Sequence, residues 1–170
     1  MMATPYLSLP QLADKPGAVE LAQVTAQSGQ MPVAFDLLEQ ALQGKSIDTL
    51  PQTQQVPIQK ALDRIHEAIT DACAVIDGFL TQRGYVLPFK KTPTVLTAWA
   101  RAITRYYLHQ HLISEEKNNP IVRDYRDAMK MLQLVAEGKF SLGADDTLAS
   151  FSPKAKRIER IFTQQTLKDY

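Results

Sequence analysis

The sequence predicts an all-α fold: a bundle of three long helices with short N-terminal helices, an inserted helix and loop, and an extended C-terminal tail. Two observations predict it. Three stretches repeat apolar residues at steps of three and four, the spacing that places side chains on one face of a helix. Each is also punctuated as helices are, with Pro57, Pro93 and Pro120 at the starts and Gly84 and Gly138 past two of the ends. At 170 residues with 45% hydrophobic and 22% charged composition, the chain has the size and balance of one globular domain with an arm. The division is residues 1–151 for the helical domain and 152–170 for a docking tail.

In order, Ser8 is the N-cap of a short helix over 9–14, with Pro10 in its first turn and Lys15-Pro16-Gly17 breaking it. A second short helix covers 18–25. Within an insert at 26–56, Pro32 starts a third helix to Gln43, closed by Gly44, and a Gln-, Thr- and Pro-rich surface loop follows over 45–56. Pro57 at the first helical position opens the first long helix. Its apolar face runs through Ile58, Leu62, Ile65, Ile69, Ala72, Cys73, Ile76, Phe79 and Leu80 and leaves Lys60, Asp63, Arg64, Glu67 and Asp71 outside. Gly84 supplies a positive φ past its last turn, and Tyr85, Leu87, Pro88 and Phe89 form an apolar exit that pins the crossover.

Pro93, with Thr92 as a cap, starts the second long helix, which buries Leu96, Trp99, Ala100, Ile103, Tyr106 and Tyr107 and runs to about Ser114. Pro120 restarts the chain after a polar turn, and Ile121, Val122, Tyr125, Ala128, Met129, Leu132, Val135 and Ala136 carry the third stripe to Gly138. Residues 152–170 hold five basic and two acidic groups together with Ile158, Ile161, Phe162, Leu167 and Tyr170. That is too apolar for a solvated tail and too short for a core, so it docks, on its own domain or on another chain.

Catalytic routes find no support. His109 and His111 are two apart on a helix and point to different sides, and His66 lies on another helix. Glu115-Glu116 and Asp145-Asp146 fall in turns, with nothing apolar to raise a pKa. There is no phosphate loop, no serine elbow, and Cys73 is a core filler without a partner. The expectation is no enzyme, no cofactor and no metal. Arg101 and Arg105, one turn apart, could join Lys90 and Lys91 in a basic patch that faces a polyanion. The plainer alternative is a solvated face, or ion pairs with Asp124 and Asp127. The N-terminus lacks a basic, apolar leader and no apolar run approaches a membrane span, which reads as a cytoplasmic product.

The run Ile76-Asp77-Gly78-Phe79-Leu80, then Arg83, Tyr85, Leu87-Pro88-Phe89, Pro93, Leu96 and Arg105-Tyr106 with Leu108, resembles the head completion or head-tail adaptor proteins of Mu-like phages and prophages. Downstream, Glu115-Glu116, Arg123, Tyr125, Asp127-Ala128, Leu132 and Gly138 match the next helix of that family. Arg160-Ile161-Phe162 and Thr166-Leu167-Lys168-Asp169-Tyr170 are similar to its terminal motif, and Tyr6-Leu7, Leu9, Leu12 and Glu20-Leu21 to its opening helix. The resemblance covers about 5–25 and 57–170. It departs at 25–56, where the family has a shorter link, and at Gly84, which separates Arg83 from Tyr85.

The resemblance implies a structural head-tail connector of a tailed phage virion, in the host cytoplasm during assembly and in the neck afterwards. Copies form a ring of about twelve beneath the portal, a cyclic head-to-tail closure. Its implied partners are other copies of itself, the portal protein through the C-terminal tail, and a neck or tail-completion protein on the other side. Genomic DNA passes through the channel without sequence-specific binding, and no membrane is involved. Under this reading Arg157, Arg160, Ile161, Phe162, Leu167 and Tyr170 dock on the portal, Arg101 and Arg105 face the channel or a neighbouring subunit, and Ile76, Phe79, Leu80, Tyr85, Leu87, Pro88 and Trp99 fix the helical hairpin. The alternative is a small helical nucleic-acid-binding regulator, which calls for a basic recognition helix that none of the three long helices supplies.

Overall fold

A computed structural model describes residues 6–26 and 31–143; the tail residues from Arg157 to Tyr170, and Asp145-Asp146, lie outside them. The described chain is all-α. Its helices are α1 (Leu9–Leu12), α2 (Ala18–Thr25), α3 (Phe35–Leu42), α4 (Gln52–Arg83), α5 (Thr94–His109) and α6 (Pro120–Ala136). No β-strand forms among the described residues.

The bundle is made by α4, α5 and α6, each packed on the other two. At 1.5 Å per residue α4 is roughly 48 Å long, about twice α5 or α6, so two short partners cannot cover it alone. The N-terminal helices supply cover: α2 and α3 pack on each other and on α4, and Leu21, Leu38 and Leu42 join Ile65, Ile76, Leu80, Leu96, Ile103 and Leu132 in one core. The insert helix α3 therefore contributes to the main core.

Local chemistry explains the element ends. Ser8 N–H donates to Gln11 Oε1 at 2.9 Å, half of a capping box at α1. After Leu12 the chain makes a π-type turn over Ala13–Gly17, within which Lys15 is extended, as a residue before proline must be, and Gly17 takes a φ of 104°. At α6, Asn119 Oδ1 accepts from the Ile121 N–H at 2.9 Å, with Pro120 in the first turn.

Five features of the helix ends differ from expectation, the first being that α1 ends at Leu12 and not at 14, where the π-type turn has already taken over. Helix α3 starts at Phe35 and not Pro32, which puts Asp36 in the first turn at the positive end of the helix dipole. Helix α4 starts at Gln52, with Pro51 as its N-cap, so part of the expected loop is helical and Pro57 lies inside the helix. Two features make that tolerable. Gln55 Nε2 donates to the carbonyls of Leu50 and Asp48 at 2.7 and 3.1 Å, clamping the preceding turn. The carbonyl that loses its donor to Pro57 is that of exposed Thr53, which water can satisfy. Thr92 does not cap α5; Pro93 holds that position. Finally, α5 ends at His109 and tightens into a 3₁₀ turn over Gln110–Leu112, short of Ser114.

Candidate functional site

The segment that joins α4 to α5 is fixed at both ends. Gly84, at φ 94°, donates to Thr81 O at 2.9 Å, and Tyr85 N–H donates to Leu80 O at 3.0 Å. This is the Schellman pattern, with buried Tyr85 and Leu80 as its apolar contact. The glycine that departs from the family's pattern is thus the left-handed residue that ends the helix. Tyr85 meets Phe89 edge-on at 5.7 Å, across a cis Leu87–Pro88 bond. Ile76, Leu80, Tyr85 and Trp99 are buried, Phe79 and Leu87 pack against the core from its edge, and Pro88 is exposed.

The end of α6 returns to this corner. Lys139 N–H donates to Leu134 O at 2.8 Å and Gly138 to Val135 O at 2.9 Å, the same capping pattern. Gly138 is needed twice over: its φ is 75°, and a Cβ there would come 2.9 Å from Cζ of Arg83. Arg83 thereby lays its guanidinium on the C-terminal end of α6, where the helix dipole favours a cation. Phe140 then packs on Trp99 at 6.1 Å, and Leu142 N–H donates to the Tyr85 hydroxyl at 3.5 Å. The described chain ends here, at the C-terminal end of α4.

A second constellation clasps the N-terminal helices to the bundle. Arg105 Nε and Nη2 donate to the two carboxylate oxygens of Glu20 at 2.6 and 2.8 Å. His109 Nε2 lies 3.3 Å from the same carboxylate, and its Nδ1 lies 2.8 Å from Arg105 O. The Glu20 hydrogen bond raises the Arg105 pKa against the opposing effect of burial. The acid that Arg105 hydrogen-bonds is therefore Glu20 of its own chain rather than Asp124 or Asp127, while the Asp124 charge adds to the raised pKa. Arg101 is half-buried, with Nε finding no hydrogen-bond partner among the described residues. Lys90 and Lys91 are exposed beyond the other end of α5, whose start at Thr94 is roughly 16 Å from Arg105.

Asp77, Cys73 and Glu116 are occupied or quenched. Tyr6 donates its hydroxyl to Asp77, tying the first described residue to α4; burial, with Asp77 assisting, pushes that hydroxyl well above the ordinary phenol range. Burial also raises the Cys73 thiol, against the reactive thiolate. Glu116 pairs with Arg126 at 2.7 Å on the surface. Among the described residues no group of three His, Cys, Asp or Glu could hold a metal, and no helix is long and apolar enough to cross a membrane.

Two grooves flank the exposed edge of α4. One, about 860 Å³, lies between α4, the end of α5 and the end of α2. The other, about 790 Å³ and more apolar, is walled by Leu7, Leu9, Leu42, Ile69 and Cys73, with Asp77 and His66 among its lining. Neither was foreseen, because each is made by elements far apart in sequence.

Residues 6–159 match the family model described as Bacteriophage Mu, Gp36. The Mu-like prophage FluMu protein gp36 of Haemophilus influenzae is 34% identical over 110 residues, covering 64% of this chain and 74% of that protein. Gene product J of Escherichia phage Mu is 30% identical over 95 residues, covering 56% of this chain and 63% of that protein, less than two thirds of its length. With the family match running through every helix described above, the chain belongs to the Bacteriophage Mu Gp36 family.

Proposed function

We propose that this chain is a structural, non-catalytic head-tail connector of a Mu-like virion. It forms a ring beneath the portal, extends the DNA channel, and joins the filled head to the neck or tail. The observation that carries this reading is the match of residues 6–159 to the Bacteriophage Mu Gp36 family, with partial similarity to products of phage Mu and a Mu-like prophage. The fold supports it physically. A closed ring of identical subunits needs each subunit to hold one shape, and here the α4–α5 crossover is capped, packed by Phe140 on Trp99, and has the Arg83 guanidinium lying against Gly138 at the end of α6. Of the carboxylates that an enzyme of this chain would call on, Asp77 is engaged by Tyr6, and Glu115 and Glu116 are exposed, with Glu116 paired to Arg126.

The test is genetic and visual. Deleting the gene from the phage that encodes it should leave DNA-filled heads that fail to join tails, with joining restored by the chain supplied in trans. Normal yields of tailed, infectious particles without it would overturn the reading. Tight duplex binding by the purified chain at physiological salt would also overturn it, since a channel wall that grips phosphates impedes passage.

A further inference from the structure

The larger groove combines an apolar floor with an acidic rim. Val24, Ala68, Val75 and Leu108 line its floor, while Glu67 and Asp71, one turn apart on α4, stand exposed at its edge. Neither carboxylate has an ion-pair partner among the described residues. One guanidinium also lines this groove, that of Arg64, which donates to Thr25 O at 2.7 Å and keeps its charge; set against two carboxylates, it still leaves the rim acidic. Tyr107 and His111 complete the α5 side.

Such a surface is complementary to a segment that is both basic and apolar, and residues 152–170 have that composition, with five basic and two acidic groups. The chain also ends in the right place. Gly143 follows Leu142, which is bonded to Tyr85 at the C-terminal end of α4. From Tyr85 back to Asp71 is roughly 20 Å along the helix. Residues 144–152 can span roughly 30 Å when extended, so Pro153 reaches the groove of its own chain. Tethering raises the effective concentration to about the millimolar range, which favours the intramolecular event over capture by another copy.

We propose that residues 153–170 dock in the groove between α2, α4 and α5 of the same chain, with Ile158, Ile161 and Phe162 on the apolar floor and Arg157 and Arg160 at Glu67 and Asp71. The second groove is the poorer match, because its one carboxylate, Asp77, already accepts from Tyr6. One consequence rests on the connector reading: a subunit that holds this segment on itself must release it to bind a portal.

The test uses the full chain. Zero-length carbodiimide coupling of an equal mixture of ¹⁴N- and ¹⁵N-labelled protein should join Lys154 or Lys156 to Glu67 or Asp71 in products of single isotopic composition. Mixed-isotope products, or coupling spread evenly over all exposed carboxylates, would overturn the proposal. Glu67→Gln with Asp71→Asn, both exposed and therefore harmless to the bundle, should speed tryptic cleavage after Arg157 and Arg160 about fivefold, whereas Asp63→Asn should not. Equal rates in all three proteins would refute it. Portal binding measured on the same samples separates the two ideas: it can fail while the internal cross-links form, or persist without them.

Discussion

Glu20, Arg105, Tyr6 and Asp77 each carry part of the resemblance to proteins of Mu-like phages, yet nothing in the sequence says that they meet. The pairs are separated by 85 and 71 positions, and helical periodicity speaks only for neighbours within a turn or two. The signal that could have found them is their company: residues that recur together in short motifs on different helices are candidates for contact. The Glu20–Arg105 side chains are only 27% and 31% exposed, so their bidentate bond is not an ordinary surface pair. Arg105→Ala should cost about 2 kcal/mol, because Glu20 is left half-buried without its main partner. For a chain of this size that is a fall in Tm of roughly 4–8 °C, read by circular dichroism. A double-mutant cycle with Glu20→Gln should return a coupling of about 1 kcal/mol or more. Additive losses would mean that α2 is held to α5 by packing alone.

Helices were legible where propensity, cap and stripe agree, and less so where one of them was silent. The bounds of α2 and the start of α6 follow directly from Gly17, Asn119 and Pro120. Pro57 misled because a proline at a first helical position and one a turn later look alike in sequence; only the Gln55 clamp and the solvent around Thr53 distinguish them. The glycine stops at Gly84 and Gly138 were legible as stops, but the sequence could not rank them. The structure does: both have positive φ, and only Gly138 also has Arg83 against it. Gly84→Ala should therefore cost about 1–2 kcal/mol for the left-handed backbone, and Gly138→Ala about 1 kcal/mol more. Urea unfolding measures both, and Arg83→Ala should erase most of the difference. If the two glycine variants lose the same stability with Arg83 present, the guanidinium is displaced freely and does not tie α4 to α6.

For the whole molecule, the division of labour proposed here is a rigid bundle that sets subunit geometry and a C-terminal segment that makes the connection. Residues 6–143 supply the first part: α3 belongs to the common core, and the corner at Tyr85, Trp99, Phe140 and Gly138 closes the bundle without using residues 153–170. Removing residues 153–170 should therefore leave far-UV circular dichroism with the signature of the same helices, while binding to an isolated portal ring is lost. Within the segment, desolvated apolar anchors should dominate, as they do at interfaces generally. Phe162→Ala and Leu167→Ala should each weaken portal binding about tenfold or more, about 1.4 kcal/mol, whereas Asp169→Ala should change it less than about threefold. If heads mature and join tails normally with residues 153–170 removed, the connection is made by the bundle itself, and the exposed edge of α4 with its two grooves becomes the surface to mutate next.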